Sequence, residues 1–299
     1  MMSCSWLRVW VCAALSGAAL PVAAQTTVTQ VAEFSIPEAN QGVGVDKDYF
    51  YAVDNSTIAK YTKGGKLVTR QQYSDIGVQH LDSAVVVQAR IYCAHSNYRY
   101  FPMTSSIEVF DADTLDHMGS HSLGIMLGSL TWLDLHDGAW WGTFANYDRT
   151  GRLPDGTSTD MPYGTKYNTT LVRFTKDWQI AEAWIFPVDL LDKFEDMSNS
   201  GGSWGPDGRL YVSGHDPAEI YKLRFPKAGS ILEVEETIPV NIRGQGIAWD
   251  SSAPGVLYGI IRATDDEVAQ GGSNKVVAFR TNVKKALPGW STWSGRFKP

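Results

Sequence analysis

Cysteine is scarce in this 299-residue chain, and two of its three cysteines, Cys4 and Cys12, stand in an N-terminal stretch that reads as removable. That stretch, "MMSCSWLRVWVCAALSGAALPVAAQ", holds one cation, Arg8, then an apolar run from Val9 to Leu20, then Val22, Ala23 and Ala24 before a polar start. It has the pattern of a secretory signal peptide over residues 1–24, and it lacks the cysteine at the cut that would carry a lipid. The mature chain, 25–299, is therefore expected to be secreted or periplasmic. With Cys93 alone it forms no internal disulfide even in an oxidising compartment, so stability must come from a packed core. Cys93, inside "ARIYCAHS", is expected to be a buried, inert thiol rather than a nucleophile.

Other absences narrow the function. No second long apolar run follows the leader, which argues against membrane insertion. No basic run occurs, and without Arg8 the chain carries 25 Lys and Arg against 32 Asp and Glu, a balance unsuited to nucleic acid. G-x-S-x-G, P-loop, C-x-x-C and H-E-x-x-H motifs are all missing. The aspartates of "DADTLD" (111–116) have Leu115 where a calcium loop needs an oxygen, so a hairpin turn is expected there. No long segment has helical spacing.

What is present is a repeat. Five stretches align: "QGVGVDKDYFYAVDNSTIAKY" (41–61), "HLDSAVVVQARIYCAHSNY" (80–98), "SLTWLDLHDGAWWGTFANYD" (129–148), "GSWGPDGRLYVSGHDPAEIYKL" (202–223) and "QGIAWDSSAPGVLYGIIRAT" (245–264). Each is a short apolar strand, a turn rich in Asp or Gly, and an aromatic-rich strand ending in polar residues; third and usually fourth strands follow. The fifth unit lacks its fourth strand, and "VTQVAEFSIP" (28–37) is left over at the start. The expectation is an all-β, single-domain β-propeller of five four-stranded blades closed by the N-terminal strand, with six blades as the alternative. The many tryptophans, among them Trp132, Trp140, Trp141, Trp204 and Trp249, are expected to pack between blades rather than form a sugar-stacking platform. The segment "YDRTGRLPDGTSTDMPYGTKYN" (147–168) is either a lid over the ring or a surface insertion.

In a propeller the starts of first strands and the ends of second strands meet near the axis on one face. The histidines in that set, His80, His95 and His215, together with Arg262, are the candidate catalytic residues. Gln41, Asn97, Asn146, Ser203, Asp216 and Gln245 are the candidate substrate-binding residues. Imidazoles can ligate a divalent metal ion or move a proton near neutral pH, so His80, His95 and His215 are also candidate metal ligands. Arg262 would clamp an anionic group. His117, His121 and His136 are expected at the surface or in packing.

The segments "HSNYRYFPMTSSIEVFD", "GSLTWLD", "GGSWGPDGRLYVSGHD" and "GQGIAWD" resemble exported propeller proteins labelled cycloisomerase-like. That resemblance implies a relation to carboxymuconate lactonizing enzymes, which are seven-bladed where five repeats are counted here. Two functions stay open. One is an enzyme with lyase, lactonase or cycloisomerase chemistry on a small anionic or carbohydrate-derived molecule. The other is a non-catalytic propeller that binds a ligand or a protein partner in the cell envelope.

Overall fold

The computed structural model describes residues 25–125, 127–160 and 165–286, so the expected signal peptide lies outside the described residues. Among the described residues the chain forms five four-stranded antiparallel sheets in the expected order. Blade one is Gly42–Val45, Tyr49–Asp54, Thr57–Thr62 and Leu67–Gln72; blade two is Leu81–Val87, Arg90–Ser96, Ser105–Asp111 and His117–Gly124. Blade three is Ser129–His136, Ala139–Ala145, Thr170–Phe174 and Ile180–Ile185; blade four is Gly201–Trp204, Leu210–Ser213, Glu219–Arg224 and Glu233–Pro239. Blade five is Ala248–Trp249, Val256–Ile261 and Lys275–Thr281, completed by the N-terminal strand Val28–Ser35, which pairs from Val28 opposite Thr281 to Ser35 opposite Lys275 with a register shift between Gln30 and Ala32. The count is five blades, not six. Closure in this way supplies the outer strand of blade five and ties the two ends of the domain together.

The core is divided among the blade interfaces, because a twisted four-stranded sheet buries both faces of its inner strands only when a neighbour lies on each side. Tyr51, Val53 and Ile58 of blade one pack on Leu81, Ile91, Cys93 and Phe110 of blade two, which buries the Cys93 thiol completely and pushes its pKa up. Ala94 and Ile107 of blade two meet Leu130, Phe144 and Val172 of blade three. Trp132, Trp141 and Trp184 of blade three meet Trp204, Leu210 and Tyr221 of blade four. Trp132, fully buried, donates its indole N–H to Asn199 Oδ1 at 2.7 Å, so the tryptophans serve inter-blade packing as expected.

At the axis the first strands come together at a glycine waist. A Cβ on Gly246 would sit 2.4 Å from Ser83 Oγ and 2.7 Å from Cα of Gly42, so blades five, two and one approach this closely only because glycine has no side chain. The waist separates two hollows, one at each end of the channel.

Candidate active site

The mouth that the repeat alignment singled out contains a cavity of about 170 Å³, lined by Gln41, His80, Asp82, Tyr98, Arg99, Tyr147, Arg149, Met197, Ser200, His215, Gln245 and Arg262. It is smaller than the pockets that take drug-sized ligands, and so suited to a small metabolite. Five of the expected residues meet here: His80, His215, Arg262, Gln41 and Gln245.

His80 starts the inner strand of blade two, and the period-2 geometry of that strand points Asp82 to the same side. The His80 ring donates from Nδ1 to Asn55 Oδ1 at 2.8 Å, an oxygen that also takes the Gln41 amide N–H at 3.0 Å. Its Nε2 is thereby left with a lone pair, 3.7 Å from Asp82 Oδ2. Burial, with the nearby His95 adding to it, pushes the His80 pKa down to about 4. Burial pushes the Asp82 carboxyl pKa well above its ordinary range although Arg262 opposes this, and Asp82 Oδ2 has no hydrogen-bond partner among the described residues. The imidazole is therefore neutral at neutral pH, and the carboxyl beside it is pushed in the direction of its uncharged form.

Opposite stands a cationic wall. Arg262 Nη2 donates to His215 Nε2 at 2.9 Å, and His215 Nδ1 donates to Asp216 Oδ2 at 2.6 Å. The bond from His215, desolvation opposing it, holds the Asp216 carboxyl below its usual range. Arg149 pairs through Nε with Asp196 at 3.1 Å but spends Nη1 on the thioether sulfur of Met197 at 3.0 Å, a weak acceptor. Tyr98 stacks between His80 and Tyr147, with centroids 5.1 Å from each.

The segment that follows the second strand of blade three contributes a hairpin, Thr150–Arg152 paired with Ser158–Asp160. Arg152 binds the loop of blade two through its N–H to Arg99 O at 2.8 Å and its carbonyl to the Phe101 N–H at 2.6 Å. Tyr147 and Arg149, at the start of this segment, stand in the cavity wall, and the hairpin is held against the loop of blade two.

The other expected residues lie elsewhere. His95 is outside the cavity lining: its Nδ1 donates to Ser106 Oγ at 2.8 Å, and its Nε2 accepts the Gln79 N–H at 3.3 Å, bracing the backbone next to His80. Ser106 Oγ passes the bond on to Glu108, which also accepts from Ser120 and from His117 at 2.8 Å. Asn97 braces its own loop through Pro102 O and the Thr104 N–H. Asn146 is buried and ties Leu127 O to Asn168 O. Ser203 lies at the opposite end of the channel, because its strand runs away from the mouth; Ser200, just before that strand, takes the place at the cavity. Asp216 reaches the site through His215 and Arg262.

Among the described residues no group of three or more His, Cys, Asp or Glu side chains is arranged to hold a metal ion. His215 Nε2 is taken by Arg262 and His95 Nε2 by a backbone amide, so no metal-dependent step is derived. Asp82, Tyr98, Tyr147 and Arg149 were missed from the sequence. The signal for Asp82 is its position two residues after His80 on an inner strand.

No protein-family model and no curated protein matches the sequence. Among solved structures the chain is similar to the glutaminyl cyclase of Myxococcus xanthus, with a TM-score of 0.53 and 10% identity over 85% of this chain and 96% of that one. It also aligns with virginiamycin B lyase from Staphylococcus aureus, with a TM-score of 0.42 and 13% identity over 79% of this chain and 82% of that one. At these identities the likeness is one of fold.

Proposed function

We propose that this is an exported propeller enzyme that carries out an acid–base lyase or cycloisomerase step on a small carboxylate. The observation that carries the reading is the His80 and Asp82 pair, 3.7 Å apart in the cavity wall, where burial disfavours the charged form of each, as one proton abstraction and one proton donation need. The similarity in fold to an enzyme, the glutaminyl cyclase, agrees with catalysis but says nothing of the substrate.

Arg262, with Arg149 beside it, holds the substrate carboxylate by charge-assisted hydrogen bonds. His80 Nε2 takes the proton from the carbon next to that carboxylate, and the electron pair of the broken C–H bond forms a C=C bond. The C–O bond on the following carbon breaks, and its oxygen leaves with the proton of Asp82. If that oxygen belongs to a ring ester, the step opens a lactone without water; run backwards, it closes one. The imidazolium and carboxylate left behind return to their starting forms when the proton crosses the short gap between them.

The test is to incubate the protein with a panel of small hydroxycarboxylates and lactones in D₂O and follow products by NMR. The expected result is formation of the unsaturated acid, with deuterium at the carbon next to the carboxylate of the recovered substrate from reversal of the step, both lost in His80→Gln and in Asp82→Asn. Binding of these compounds by all variants without turnover by any would favour the ligand-binding module instead.

A further inference from the structure

The larger hollow lies at the other end of the channel, on the face away from His80, with a volume of about 500 Å³. All five blades line it, with Val45, Val87, Leu135, Trp204 and Trp249 each from a different one. The two carboxylates of the wall are already answered. Asp250 pairs with the Lys63 ammonium, and Asp134 accepts from Ser203 Oγ at 3.0 Å and from the Trp204 N–H at 2.7 Å. What is left over is apolar surface: Leu135 is 37% exposed and Val87 is half-buried. The wall therefore suits an occupant held by packing rather than by charge.

The described chain ends against this same wall. Lys285 is part of it, and Ala286 donates its N–H at 2.8 Å to the carbonyl of Pro206, which lines the hollow as well. Residues 287–299, which come next, lie outside the described residues; their sequence is "LPGWSTWSGRFKP". Trp290, Trp293 and Phe297 make three aromatic residues in 13, against 12% in the whole chain. A segment meant to stay in water is poor in such residues, so this composition asks for a surface to bury them. Pro288 and Gly289, soon after the anchor at Ala286, are a turn signal that sends a chain back toward the surface it has just met. Fully extended from Ala286, the chain carries Trp290 at most about 14 Å and Trp293 about 25 Å, enough to enter a hollow whose wall includes Lys285.

We infer that residues 287–299 of the same chain dock in this hollow and close the channel at the end away from His80. Trp290 and Trp293 cover Val87 and Leu135, and the bond from Ala286 to Pro206 is the first contact of the docked segment. The mouth beside His80 and Arg262 is then the end of the channel open to small molecules. The docking does not depend on which reaction, if any, takes place there.

The experiment uses the full mature chain and reads its indole ¹⁵N–H resonances, assigned by single Trp→Phe substitutions, while a soluble gadolinium chelate broadens whatever it can approach. The expected result is that Trp290 and Trp293 are protected from broadening relative to a free peptide of sequence 287–299. Leu135→Lys, which puts an ammonium into the hollow, abolishes that protection in a protein whose circular dichroism is unchanged. Val87→Lys, on the neighbouring blade, does the same, while Gly119→Lys, on the outer strand of blade two, leaves the protection intact. Three results overturn the inference: Trp290 and Trp293 broadened as fully as in the peptide, protection unchanged in both hollow variants, or protection only at concentrations where sedimentation shows a dimer. The last would assign the hollow to the same segment of a second copy.

Discussion

His80 Nε2 faces Asp82 Oδ2 across 3.7 Å, too far for a hydrogen bond and close enough for one proton to pass once a substrate atom or a small side-chain movement closes the gap. Asn55 fixes which nitrogen of His80 is free, and burial favours the uncharged form of Asp82. A charged pair would cost more here than two neutral groups do, because both side chains are buried.

Asp82→Asn keeps the shape of the acid and removes its proton. Turnover is expected to fall by about 10²–10⁴-fold, the usual worth of a positioned acid. Stability should move the other way. The folded pKa of Asp82 is raised, so its contribution is fully present below the unfolded value and is lost as pH rises through the folded one. At pH 8 the variant should melt higher than the parent, by about 2–4 °C for each kcal/mol recovered, and the difference should vanish near pH 4. Melting curves across that range check it.

His80 gives the opposite slope. Its pKa is lowered to about 4 in the folded state, so the stability it contributes is present above the unfolded value near 6.5 and is lost as pH falls toward 4. His80→Gln should flatten the acid limb of the stability curve between those values, by roughly 3 kcal/mol at most. Denaturant titrations of both proteins at several pH values measure this directly.

Much of the fold was legible because a propeller repeats its instructions. "YVSGHD" alone is a hairpin end, but aligned with "YCAHSNY" and "GIIRAT" it places His215 beside Arg262, which the structure bears out at 2.9 Å. The alignment reads positions along strands, and not which side of a strand a residue faces. Thus His95, in the same repeat position as His215, turns toward Ser106 and the backbone of Gln79 instead of the cavity. Asp82 is hard to see in the sequence because it sits inside an apolar strand, where its raised pKa depends on the burial that only the assembled ring supplies. Arg149 enters through an insertion that no other blade has, so no repeat could point to it.

Glu108 is the buried carboxylate that joins His95 to His117 across blade two. Burial pushes its pKa up, but the bonds from Ser106, Ser120 and His117 outweigh this and hold it below the usual range. Its contribution is therefore present above the unfolded pKa and is lost as pH falls through the folded one. Glu108→Ala strands two hydroxyls and the His117 imidazole, and should cost about 3 kcal/mol near neutral pH. Glu108→Gln, which keeps an acceptor, should cost less. Urea unfolding monitored by tryptophan fluorescence separates the two, and both variants should broaden the imidazole resonances of His80, whose backbone neighbour His95 holds.

The glycine waist makes a prediction that joins architecture to the site. An alanine methyl at 246 has backbone on one side, at Gly42, and Ser83 on the other, so blades one, two and five must move apart to admit it. Overpacking of this kind costs about 1–3 kcal/mol. Gly119→Ala, on the outer strand of blade two with nothing within 4 Å of the added methyl, should be nearly neutral and serves as the control. The two differ in function as well. Gln245, next to the waist, donates to Gln41 at 2.7 Å, and Gln41 in turn holds the Asn55 oxygen that orients His80. Gly246→Ala should therefore lower kcat beyond what its loss of stability explains at temperatures where it is fully folded, whereas Gly119→Ala should leave kcat unchanged. Equal kcat values for the two variants, with both proteins folded, would show that the waist sets stability alone and that the amide chain above it does not need the close approach of the blades.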